Sequence, residues 1–138
     1  MSDKDKIIEL LEGFSANDYG EFLLANSTKD FLFIRPSGNP IDADGLEKMT
    51  LCGDVIDNYS EIIDIQKLEF FSDINAMCIF SMRENMEYKG ITNDDLAIYT
   101  SIFKKVSSKW KISFMHRSSG NVDLSLWTGF TTFKCLAD

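Results

Sequence analysis

From about residue 58 to residue 118 the chain reads as one extended segment after another, with no stretch between them long enough for a helix. Segments over Ser60–Phe71, Asn75–Tyr88 and Leu96–Ser107 are separated only by the short stretches 72–75 and 89–95, and a further strand starts around Trp110. Alternation is clearest in Ala76, Cys78, Phe80 and Met82, and again in Ile98, Thr100 and Ile102. Parallel neighbours need crossovers of about a dozen residues or more, so strands this close in sequence must form an antiparallel meander.

The first part of the chain has a different texture. Ile7, Ile8, Leu10, Leu11 and Phe14 recur at helical spacing, with Ser2 or Asp3 placed to cap the start. Asn17 or Asp18 can open a second, short helix carrying Tyr19, Phe22 and Leu23. Lys29–Arg35 predicts a strand, stopped by the turn-forming run Pro36-Ser37-Gly38-Asn39-Pro40. A third helix over Asp42–Leu51 follows, with Asp42 or Asp44 as its cap. Helices first and antiparallel strands afterwards predict an α+β fold, with about three N-terminal helices packed on a curved antiparallel sheet.

At 138 residues, 44% of them hydrophobic and 12% aromatic, one domain spanning 1–138 can build its core without cross-links. The net charge of −8 is unevenly spread, about −10 before residue 76 and +2 after it. That balance argues against nucleic acid as a partner, which requires a concentrated basic footprint. Lys104, Lys105, Lys109 and Lys111 do gather late in the chain, where lysines also protect strand edges. Cys52, Cys78 and Cys135 are widely spaced, without a Cys-x-x-Cys pair, and predict reduced thiols. The charged start lacks the apolar core of a signal peptide, and nothing approaches a membrane span, so a cytoplasmic protein without membrane contact is expected. His116 is the only histidine, which excludes His-rich zinc sites; no metal and no cofactor are expected.

The segment Lys109–Ser118 carries the most specific pattern. Strict alternation puts Trp110, Ile112, Phe114 and His116 on one side and Lys111, Ser113, Met115 and Arg117 on the other, with Trp110 buried. A helix pair, a strand ending in Phe33-Ile34-Arg35-Pro36-Ser37-Gly38, a short helix, and long strands closing on Trp-x-Ile-x-Phe-x-His-Arg-Ser resemble the nuclear transport factor 2-like superfamily, over nearly the whole chain to about Ser119. Within it, the closing strand is most similar to the association domain of calcium/calmodulin-dependent protein kinase II.

The resemblance implies a cone-shaped fold and several functions, since this superfamily mixes isomerases, dehydratases, cyclases, transport factors and oligomerisation domains. Its steroid isomerases carry an acidic base immediately before the Pro of the Ile34–Gly38 segment; here that position is Arg35, whose guanidinium cannot take a proton. They also place a Tyr on the first helix, where this chain has no hydroxyl until Ser15 and Tyr19. Scytalone-type dehydratases use more than one histidine. A hydrolase arrangement of Arg35 with acids such as Asp30, Asp64 or Glu69 stays open.

In the kinase association domain, arginines line a deep pocket that can hold a carboxylate, and Arg83 and Arg117 match two of them; a third falls near Ser101. The expected site is therefore a mostly apolar cavity between the first helix and the sheet, polar at Arg35, Arg83 and Arg117, with Tyr19, Tyr99 and His116 as secondary lining. No catalytic residue is assigned. Each arginine can instead be held by Glu84, Glu87 or another strand acid. The function expected is non-catalytic binding of a small ligand, a small organic acid in particular; the alternatives are a homo-oligomerisation scaffold or an isomerase, dehydratase, cyclase or hydrolase.

Strands with apolar residues at both parities, such as Met77 and Ile79 against Cys78 and Phe80, predict two covered faces and hence a homodimer or a larger ring. An apolar extension over about 120–138, with Leu124, Leu126, Trp127, Phe130, Phe133 and Leu136, is expected to pack rather than remain in solvent.

Overall fold

The computed structural model describes residues 1–118, so the apolar extension lies outside the described residues. Three helices, α1 (Asp3–Ala16), α2 (Tyr19–Asn26) and α3 (Ala43–Leu51), pack on a six-stranded sheet. Its strands are β1 (Ser27–Ile34), β2 (Pro40–Ile41), β3 (Val55–Ser72), β4 (Asn75–Tyr88), β5 (Ile91–Val106) and β6 (Lys109–Arg117). Ser2, Asp18 and Asp42 are the N-caps, and Ser2 forms a reciprocal capping box with Asp5. Ile7, Leu11 and Phe14 form the buried stripe of α1, and they meet Phe80, Met82, Tyr99, Phe103, Ile112 and Met115 from the sheet. Gly20 lets α2 lie against α3, because a methyl group at that carbon would come within 2.7 Å of the Glu47 backbone nitrogen. None of the described helices is long and apolar enough to cross a membrane.

The strand order is β2-β1-β6-β5-β4-β3. Strands β3 to β6 form the expected antiparallel meander, whereas β1 runs parallel to β6. The intervening β2, α3 and β3–β5 supply the long crossover that a parallel pair requires. Four register shifts bend β3, between Asp57 and Tyr59, Ile62 and Asp64, Ile65 and Lys67, and Phe70 and Ser72. Such bulges increase local twist, which curves the sheet around α1. The stretch 89–95 is mostly strand: only Lys89 and Gly90 turn, both at positive φ (49° and 84°), as a tight hairpin requires.

One bulge corrects the sequence reading of β6. Ile102 pairs with Phe114 and Phe103 with Ile112, so Ser113 is an extra residue without a cross-strand partner. A single inserted residue exchanges the two faces of everything beyond it. Trp110 and Ile112 therefore share the buried face with Met115 and Arg117, while Phe114 and His116 point to the outer face. Trp110 is buried, its indole N–H donating to Asp3 over 3.0 Å.

Candidate functional site

The alternation that puts Ala76, Cys78, Phe80 and Met82 into the core carries on for one more step and buries Glu84, which is only 1% exposed. A carboxylate there must be hydrogen-bonded. The Tyr99 hydroxyl donates to its Oε1 over 2.7 Å, the Tyr19 hydroxyl to its Oε2 over 2.5 Å, and the Nε of Arg117 to Oε1 over 2.9 Å. A second guanidinium nitrogen, Nη2, reaches Asp95 Oδ2 over 3.2 Å, nearer the solvent. The chain of hydroxyls extends outwards through a short contact between Tyr19 and Ser60, and Ser60 donates to Asp57 over 2.8 Å.

Each element has a defined part in this arrangement. Tyr19 is the first residue of α2, held by the Asp18 cap and by stacking on Phe14 at 4.6 Å between ring centres. Tyr99 is fixed between Phe80, stacked at 5.1 Å, and the edge of Phe14 at 5.7 Å. Arg117 stands beside Tyr99 in the β5–β6 register, pointing inwards because of the bulge at Ser113. The same rings fill much of the space between α1 and the sheet.

The electrostatics fit a network of donors around one acceptor. Burial and the charge of Glu84 push the Tyr19 and Tyr99 phenols far above their ordinary range, so both stay protonated as donors. Burial opposes the charge of Arg117, but Tyr99, Glu84 and the bonds to Glu84 and Asp95 outweigh it and raise its pKa. Burial raises the Asp57 pKa, the Ser60 hydrogen bond opposes the rise, and the Glu84 charge adds to it. Asp57 and Ser60 line an open groove of about 500 Å³ with Asp18, Asn58 and Thr50, through which the buried network meets solvent.

Of the six residues proposed from sequence, the structure brings three together: Tyr19, Tyr99 and Arg117. Arg83 is out of phase with Met82 and Glu84 and projects from the outer face, where Asp94 takes its fork at 3.2 and 2.9 Å. His116 is exposed on that same face. Arg35 follows the Ile34–His116 pair, so it stands level with Arg117, but its Nε donates to the Asn39 carbonyl and its Nη1 lies 3.9 Å from the Met49 sulfur. Glu84, Asp95, Asp57 and Ser60 were missing from the expected lining, although Glu84 was a candidate partner for the arginines. Its position in phase with Cys78, Phe80 and Met82 is the signal that finds it. Burial raises the Cys78 thiol to about 11, as suits a packed core thiol. Among the described residues, no three His, Cys, Asp or Glu side chains converge as a metal site would need.

A family model described as "Protein of unknown function (DUF3804)" matches residues 2–128. Among solved structures, a nuclear transport factor 2-like protein of unknown function from Prochlorococcus sp. NATL2A is 48% identical, with a TM-score of 0.82 over 92% of this chain and 100% of its own. A candidate calcium/calmodulin-dependent kinase II association domain from Exiguobacterium sibiricum is 18% identical, with a TM-score of 0.72 over 86% of this chain and 94% of its own. A type 2 hexachlorocyclohexane dehydrochlorinase is 15% identical, with a TM-score of 0.67 over 86% and 84%. At those lower identities the likeness is one of fold alone. No curated protein matches the chain.

Proposed function

We propose, for a chain that belongs to the DUF3804 family of proteins of unknown function and to the nuclear transport factor 2-like superfamily, that it is a non-catalytic small-ligand-binding domain. The ligand is held at the outward edge of Arg117, over the buried floor formed by Tyr19, Glu84 and Tyr99. The observation that carries this reading is the burial of Glu84 and Arg117 together, at 0% and 11% side-chain exposure. A buried ion pair adds little stability over well-packed apolar residues, so a domain that served only as a scaffold has no need of one. Binding is favoured over catalysis because both oxygens of Glu84 already accept hydrogen bonds, which leaves no free carboxylate at the centre to act as a base.

The ligand class follows from Arg117. Only two of the five guanidinium N–H groups are engaged among the described residues, and one of those two bonds is the longer one to Asp95. A small organic acid would take the place of Asp95 on the outward edge of the fork, with Glu84 left in position. Co-crystals grown with a panel of short organic acids test this. The reading requires a carboxylate on Arg117 and a displaced Asp95; Asp95 still seated on Arg117, with the floor empty in every crystal, would overturn it.

The same chain is proposed to work as a homodimer through its outer sheet face. Met77, Ile102, Phe114 and Leu32 pair in register across four strands, an apolar row on the side away from the helices. Leu32 is 38% exposed. Light scattering should give about twice the chain mass of 15.7 kDa, and Phe114→Asp should return it to the monomer value. A wild-type monomer at all accessible concentrations would contradict this part of the proposal.

A further inference from the structure

The geometry points to a second binding site, remote from Glu84 and Arg117, that takes an amphipathic organic anion: an apolar chain or ring ending in a carboxylate. Lys6, Leu10 and Gly13 lie at helical spacing on α1, beside the buried stripe of Ile7, Leu11 and Phe14. With Phe22 of α2 and Trp110 of β6 they line an open groove of about 520 Å³. Leu10 and Phe22 are only partly buried, although both pack on the core, so the groove has an apolar wall that the described residues leave uncovered. Trp110 is fixed by its bond to Asp3 and by the edge of Phe70 at 5.8 Å.

Two features make this more than an uncovered surface. Gly13 shapes the wall: a methyl group there would stand 2.7 Å from the Phe22 ring, so any larger residue would drive that ring into the groove. The rim is cationic. Lys6 and Lys109 border the apolar wall, and neither forms an ion pair among the described residues, whereas neighbouring Lys105 is held by Asp3 at 3.3 Å. Among the described residues Glu9 is the single acid in the lining, which gives them a net positive rim in a chain of net charge −8. An apolar wall next to ammonium groups that have no ion pair among the described residues complements a ligand that is apolar along its body and anionic at its head.

Trp110 itself reports on the groove. The chain has two tryptophans, so Trp127→Phe leaves Trp110 as the sole emitter. Titrating that full-length variant with sodium decanoate should give a saturable change in emission, with decanol binding at least about tenfold more weakly. Adding Lys6→Glu, half-buried, and Lys109→Glu, exposed, should cost a further tenfold or more, and Gly13→Ala should weaken binding as well. Glu84→Gln/Arg117→Met should leave decanoate affinity unchanged, which separates this site from the proposed cone site. Emission that does not respond, affinity that survives both charge reversals, or affinity lost with the Glu84/Arg117 changes would each overturn the inference.

Discussion

The Nε of Arg117 lies 2.9 Å from Oε1 of Glu84, and the two side chains come from β6 and β4, strands that are not adjacent in the sheet. The bond therefore spans β5, passing over Tyr99, which shares the same carboxylate oxygen. Removing either partner leaves a buried charge without its counterion. Arg117→Met or Glu84→Gln should destabilise the domain by about 3–5 kcal/mol in urea unfolding. The pair Glu84→Gln/Arg117→Met should recover more than half of that loss, and a strictly additive double variant would contradict the coupling.

Asp57 supplies a pH signature. A carboxyl whose pKa is higher in the folded than in the unfolded chain takes up protons on folding, so its contribution favours the folded state at low pH. That contribution is lost as the pH rises from the ordinary aspartate value through the folded one. Asp57→Asn keeps an acceptor for Ser60 and removes the titration. It should raise the melting temperature at about pH 7 and change it little at about pH 2, where both states are protonated. Equal effects at the two pH values would show that Asp57 titrates normally.

The bulge at Ser113 can be tested by length rather than by chemistry. Deleting Ser113 takes out the unpaired residue and leaves a regular strand in which Trp110, Ile112, Met115 and Arg117 still share the inner face, so cooperative thermal unfolding should persist. Ser113→Ala keeps the extra residue and should cost less than about 1 kcal/mol. A deletion variant that loses cooperative unfolding would contradict the assignment of Ser113 as the extra residue.

These particulars also mark how far the sequence could be read. The helices, their caps and the meander follow from apolar period and turn residues, and the family resemblance supplied the cone. The β1–β6 parallel pair is a contact between segments separated by most of the chain, which local patterns do not encode. Arg83 and Glu84 were legible in hindsight: the in-phase step from Met82 falls on Glu84, and Arg83 falls on the opposite face. Arg117 was assigned to the site by resemblance, against its own alternation, and the bulge that reconciles the two leaves no mark in composition. Asp95, Asp57 and Ser60 join the network through register alone, so no spacing rule announces them.

The central claim is that an organic acid binds on Arg117 above Glu84, and isothermal titration with a panel of short organic acids tests it most directly. Wild-type protein should give saturable heat with at least one of them. Asp95→Asn, which removes the internal competitor for the guanidinium, should bind it about tenfold more tightly, the equivalent of one charge-assisted hydrogen bond. Glu84→Gln/Arg117→Met should give no heat while remaining folded. No heat from the wild type with any acid, or the same affinity in all three proteins, would contradict the account.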